Sequence, residues 1–212
     1  MMLIMLVNII GEGAVFAAQN KCDGNKKTVD NGIYVIESLV GEGKVLDICG
    51  AEKTDGAKLH TWDKSKDLNN SLNQVFYIDK NEDGSYAIMA CHSGMFLGVK
   101  DQERNVKQYN PSFKENYKWE IVLKNNGEYE LKLKSNKLSL DVAGRKNENG
   151  TKLQLWESNN TNAQRFRLHK IGIKDTSLID ELHKKMELRR EQSKLEEISL
   201  ESKMDKITKY KE

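Results

Sequence analysis

At 212 residues the chain is long enough for one ordinary domain with an appendage. Its 34 Lys and Arg nearly cancel 32 Asp and Glu, and the net charge of +2 leaves no electrostatic case for a nucleic-acid or anionic-membrane partner. A single proline, Pro111, means that the turns must rely on Gly, Asn and Asp.

The chain opens on the apolar run "MMLIMLVNII", followed by "GEG" and the small residues of "AVFAAQ". Residues 1–17 read as a secretory leader cut near Ala17 or Ala18, which predicts an extracellular protein. The absence of an early Lys or Arg and the presence of Glu12 keep a plain hydrophobic extension as the other reading. The three cysteines, Cys22, Cys49 and Cys91, show no metal-ligand spacing. In an exported chain one pair would be bridged and one thiol left over, although Cys49, closing "VLDIC", reads by default as a buried free thiol.

From Gly32 to His169 the pattern is strand-like throughout. Twelve short runs follow one another: "GIYVIES", "GKVLDI", "KLHTW", "QVFYI", "SYAIMA", "MFLGV", "NVKQY", "KWEIVL", "EYELKL", "LSLDV", "KLQLW" and "RFRLH". Turn signals such as "TDG", "NEDG", "KNNG" and "NENG" separate many of them. No helical stretch lies between, so the expected class is all-β, and closure into a barrel avoids exposed sheet edges.

These runs repeat. "LDICGAEKTDGAKLHTWDKSKDLNNSLNQVFYI" and "LDVAGRKNENGTKLQLWESNNTNAQRFRL" share Leu-Asp, a turn glycine, Lys-Leu-x-x-Trp, an Asn-rich loop and Gln-x-Phe. Between them lies a degraded copy, "FLGVKDQERNVKQYNPSFKENYKWEI". The closing aromatics Phe76, Trp119 and Phe166 are 43 and 47 residues apart, a period that indicates one architectural unit of four strands used three times.

Beyond Lys170 the composition changes. Residues 176–210 lack Gly and Pro, are rich in helix formers and charge, and carry an apolar stripe of Ile179, Leu182 and Met186. Leu195 and Ile198 continue it irregularly, so the segment is not a heptad coiled coil. A tail helix, solvated or partly docked, is expected; a helix that binds a protein partner or a second copy is the alternative.

The Asp, the Gln-x-Trp-like strand and the closing Gln-x-aromatic resemble the ricin B-chain-like lectins, also called family 13 carbohydrate-binding modules. The resemblance covers 32–169 and implies a β-trefoil of three pseudo-repeats and about twelve strands, followed by the helical tail. It implies binding of galactose or related sugars in shallow pockets, without catalysis, metal or cofactor.

By that resemblance, the first pocket uses Asp47 to accept from paired sugar hydroxyls and Trp62 as the platform under the ring. His60 stands where the family often has Gln, Asn73 contacts sugar, and Gln74 braces Asp47. The third pocket uses Asp141, Gln154 and Trp156 in the same roles, with Gln164 as brace. There Ala163 replaces the sugar-contacting Asn, and Asn160 or Asn162 would have to shift to compensate. Repeat two has lost the pattern: Gly98 replaces the Asp, Tyr109 the Trp and Tyr117 the Gln, so no sugar site is expected there.

The chemistry suits the residue types. An aromatic ring covers the C–H face of a sugar, while a fixed carboxylate and carboxamides satisfy its hydroxyl edge directionally. Asp47 and Asp141 lie in different repeats and are expected to stand too far apart for a glycosidase pair. The function expected is therefore non-catalytic carbohydrate binding, with glycans as partners. The competing reading is a structural or protein-interaction trefoil whose C-terminal helix makes the working contact.

Overall fold

A computed structural model describes residues 28–110, 116–125 and 127–172, together with 177, 180–188 and several further positions up to 199. The leader-like run 1–17, Cys22, Ile179 and the end of the tail lie outside the described residues.

Each of the twelve apolar runs forms a strand: β1 Gly32–Ser38, β2 Lys44–Ile48, β3 Leu59–Asp63, β4 Phe76–Lys80, β5 Tyr86–Ala90 and β6 Phe96–Gly98. The others are β7 Lys107–Tyr109, β8 Lys118–Leu123, β9 Glu128–Leu133, β10 Ser139–Val142, β11 Thr151–Trp156 and β12 Phe166–Lys170. All pairings are antiparallel. Six strands close a ring, β1–β4–β5–β8–β9–β12 and back to β1. The other six form three hairpins, β2–β3, β6–β7 and β10–β11, that cap it. The result is an all-β trefoil with one C-terminal helix.

The closing aromatics are barrel core. Phe76, Trp119 and Phe166 are fully buried, one from each repeat, among Tyr34, Ile36, Ile78, Ile88, Leu131 and Leu133. Trp119 also satisfies its indole N–H, donating to the Leu97 carbonyl at 2.9 Å. Burial without a partner would cost that donor about 1–3 kcal/mol.

β4 and β5 are apolar on both faces, which a barrel wall with one solvated face does not require. Phe76, Ile78, Ile88 and Ala90 point into the barrel, whereas Tyr77, Ala87 and Met89 point outward. The tail helix, α1 over 180–188, covers this outer face with Leu182 and Met186, both buried. The Tyr77 hydroxyl meets His183 Nε2, and Lys194 further along pairs with Glu82 at 3.2 Å. The expected tail helix is thus partly docked, and Leu188, Leu195 and Ile198 remain exposed.

Among the described residues Cys49 and Cys91 are free thiols and do not bridge each other; Cys49, expected to be buried, is only half-buried. Cys91 is buried beneath the docked helix, and burial pushes its thiol up to about 12.

Candidate functional site

The three hairpins place equivalent positions in register. Asp47 on β2 lies opposite His60 on β3, and Asp141 on β10 lies opposite Gln154 on β11. In the middle repeat Gly98 faces Lys107. Two residues beyond His60 and Gln154, strand alternation returns Trp62 and Trp156 to the same face.

In repeat one, three of the expected residues converge on the carboxylate of a fourth. Asp47 is buried. Its Oδ1 accepts from His60 Nε2 at 2.8 Å, and its Oδ2 accepts from Asn73 Nδ2 and Gln74 Nε2, each at 2.9 Å. Asn73 and Gln74 reach it from a 3₁₀ turn, Leu72–Gln74, whose tight backbone turns both carboxamides toward β2. Gln74 is itself fixed, donating to the Asp63 carbonyl at 3.0 Å and accepting from Ser65 N at 2.8 Å. The fifth residue, Trp62, is 43% exposed, an unusual state for so large an apolar side chain. The His60 imidazole stacks on it, with centroids 5.3 Å apart and an interplanar angle of 27°.

Repeat three reproduces the brace with fewer donors. Asp141 Oδ1 accepts from Gln154 Nε2 at 3.2 Å, and Oδ2 accepts from Gln164 Nε2 at 3.1 Å. Gln164 also donates to the Glu157 carbonyl and accepts from Asn159 N, the same pair of backbone contacts that Gln74 makes. Ala163, at the place of Asn73, is buried. Asn160 does not take over its role, because its carboxamide oxygen accepts from Arg165 Nη2 at 3.0 Å. Burial raises the Asp141 carboxyl above its usual value, while the bonds from Gln154 and Gln164 and the charge of Arg145 oppose the rise. Trp156 is 47% exposed beside it.

Repeat two has no such cup. The carbonyl of Asn116 accepts from Val99 N at 3.1 Å, and a Cβ on Gly98 would stand 2.3 Å from that oxygen. Chain therefore fills the place of the missing carboxylate. Tyr117, in place of the bracing Gln, packs on Phe96 instead.

Three further residues reach these cups from neighbouring repeats, and their sequence positions carry no motif that marks them. Asn149, in the β10–β11 turn, accepts from Lys44 Nζ and Asp63 N and donates to Asp63 Oδ2, which locks the end of β3 beside Trp62. His92, after β5, contacts the Glu52 carbonyl through Nε2 at 2.9 Å. A carbonyl only accepts, so Nε2 carries the proton; burial lowers the imidazole pKa, although the bond to the Glu52 carbonyl and, less, the charge of Asp47 pull it upward. Arg104, between β6 and β7, lies over the Trp156 ring, 5.4 Å from its centroid. Among the described residues, no group of His, Cys, Asp and Glu has the arrangement to hold a metal ion.

The family model described as "Ricin-type beta-trefoil lectin domain-like" matches three overlapping stretches of this chain, residues 21–111, 72–156 and 115–186. No curated protein sequence matches it. Among solved structures, it is similar to ThreeFoil, a designed protein of threefold symmetry. The two are 28% identical with a TM-score of 0.61, over 66% of this chain and 99% of the other. It is also similar to an exo-β-1,3-galactanase from Clostridium thermocellum, with 25% identity and a TM-score of 0.61 over 67% of this chain. The match spans 31% of that enzyme's chain. A ricin B-like lectin from Macrolepiota procera in complex with lactose shares the fold at 18% identity, with a TM-score of 0.56 over 68% of this chain and 99% of the lectin.

Proposed function

The chain belongs to the ricin-type β-trefoil lectin domain-like family, and on that premise we propose that it binds carbohydrate, without catalysis, in the cups of repeats one and three. The fold is shared by lectins and by glycoside-active enzymes. The observation that carries the reading is the Asp47 carboxylate, buried yet held by His60, Asn73 and Gln74 beside an exposed Trp62. A carboxylate anchored by side-chain donors keeps acceptor capacity for hydroxyls, and an indole left in water is a ready surface for the C–H face of a sugar.

Galactose or a related sugar is the ligand class, a choice that rests on the family resemblance. A monosaccharide offers little apolar area, so each cup binds at about −4 to −5 kcal/mol, in the millimolar range or slightly better. Two cups on one rigid body gain avidity on a clustered glycan. Asp47 and Asp141 sit in separate repeats, which supports binding rather than hydrolysis. The reading includes secretion, supported by the leader-like run 1–17; amino-terminal sequencing of exported protein tests it.

A glycan array probed with the whole chain and with Trp62→Ala and Trp156→Ala variants tests the function. Binding to galactose-type ends that falls in either variant supports it. A folded protein that binds no glycan, even in multivalent display, refutes it. That result would favour the second reading, a partner-binding tail, for which the exposed Leu188, Leu195 and Ile198 on the docked tail are the supporting observation.

A further inference from the structure

The two cups also differ in charge around the platform tryptophan. Each hairpin turn reaches across to the platform position of the next repeat. The turn of repeat one brings Gly56 to 3.9 Å from Tyr109, counted from an added Cβ, and that of repeat three brings Gly150 to 3.8 Å from Trp62 in the same measure. The turn of repeat two instead brings a cation: the Arg104 guanidinium lies over the Trp156 indole, and its backbone carbonyl accepts from Leu155 N at 2.7 Å, which fixes the turn there. At the first cup Thr151, from the turn of repeat three, holds the corresponding position opposite Thr61, and its hydroxyl is spent on the Glu148 carbonyl.

Arg104 has no carboxylate partner among the described residues. Nearby Glu103 is committed to Lys107 at 2.7 Å and to the Tyr109 hydroxyl. Lys44, the cation of the first cup, is by contrast neutralised, bonded to Asp63 Oδ1 and Asn149 Oδ1. Arg145, which follows β10 with φ of 56°, adds a second cation to the third cup, where Ala51 stands in repeat one; its charge acts on Asp141.

From this juxtaposition we infer that the third cup takes an acidic saccharide, a sugar ring bearing a carboxylate or sulfate, with Arg104 as its counter-charge. Asp141 accepts ring hydroxyls at one end of the cup. Trp156 lies two residues along the strand from Gln154, about 7 Å away, so an anionic substituent beside the platform is kept apart from that carboxylate. A neutral sugar laid on the covered face of the indole displaces the guanidinium and loses the cation–π contact. An acidic sugar lets Arg104 turn from the ring to a charge-assisted hydrogen bond. The planar guanidinium suits both carboxylate and sulfate oxygens.

The inference rests on the carbohydrate-binding reading, and one experiment separates the two. Full-length Trp62→Ala protein, in which only the third cup retains its platform, is titrated by calorimetry with methyl galactoside, galacturonic acid, galactose 6-sulfate and a sialylated galactoside. At least one acidic probe binds about tenfold more tightly than methyl galactoside, a difference of about 1.4 kcal/mol. Addition of Arg104→Gln removes the difference, as does raised salt. The three acidic probes distinguish uronate, sulfate and sialate as its source. Equal binding of neutral and acidic probes, or a preference that survives Arg104→Gln, overturns the inference. If Trp62→Ala binds none of the probes while the unsubstituted protein binds methyl galactoside, the inference fails and the lectin reading stands. If the unsubstituted protein binds no saccharide, both fail.

Discussion

The carbonyl oxygen of Asn116 stands 2.3 Å from where a Cβ on Gly98 would lie. That distance accounts for the missing second cup: the backbone itself occupies the space that an aspartate side chain would leave through. Gly98→Asp restores the residue type but not the site. The substitution should cost about 1–3 kcal/mol through overpacking, and the number of bound sugars per chain should not rise. Chemical denaturation and a binding stoichiometry check the two parts.

Gln74 and Trp62 should separate when each is changed to Ala, although both serve the same cup. Gln74→Ala strips a donor from Asp47 and leaves the Asp63 carbonyl and Ser65 N–H unpaired, so it should destabilise by about 1–3 kcal/mol. Trp62 is exposed, and its loss should move stability by no more than about 0.5 kcal/mol. Both should abolish sugar binding at repeat one, measured by titration beside urea unfolding.

Asp141 should make affinity and stability respond to acid in opposite directions. Burial raises its carboxyl above the usual range. The folded chain therefore takes up this proton at a higher pH than the unfolded chain does, and this group's contribution to stability increases as pH falls through that window. On the carbohydrate-binding reading the ionised form is the one that accepts from paired hydroxyls, so binding at the third cup should weaken over the same window. Sugar titrations of the Trp62→Ala protein against pH check the affinity, and denaturation against pH, with Asp141→Asn as the control that no longer titrates, checks the stability.

The docked tail should guard Cys91. Leu182 and Met186 pack over the outer face of β4 and β5, where Cys91 lies. Leu182→Ala should weaken the docking by about 2–5 kcal/mol and speed the alkylation of Cys91, while the less buried Cys49 is labelled at an unchanged rate. The raised thiol makes a second check available. The folded chain holds this proton from the usual 9.0 up to about 12, so this group's contribution to stability falls as pH rises through that interval.

Much of the fold is legible because its causes are local. Alternation, turn residues and the recurrence of Leu-Asp and Lys-Leu-x-x-Trp mark all twelve strands and their threefold use. The spacing of Asp47 to Trp62 and of Asp141 to Trp156 is legible for the same reason: a hairpin fixes which residues face one another. The docking of α1 leaves a fainter trace in the two-faced apolarity of β4 and β5, which signals a cover without saying which segment supplies it.

By itself, then, the sequence determined the class, the repeat and the two carboxylate–tryptophan pairs, because short-range periodicity and register depend only on neighbouring residues. Only the tertiary structure decided how the cups differ. Asn149 against Asp63, the carbonyl of Asn116 against Gly98 and Arg104 over Trp156 join segments whose approach is set by closure of the barrel. Contacts across repeats leave no period in a chain, and it is there that charge and space at each cup are settled.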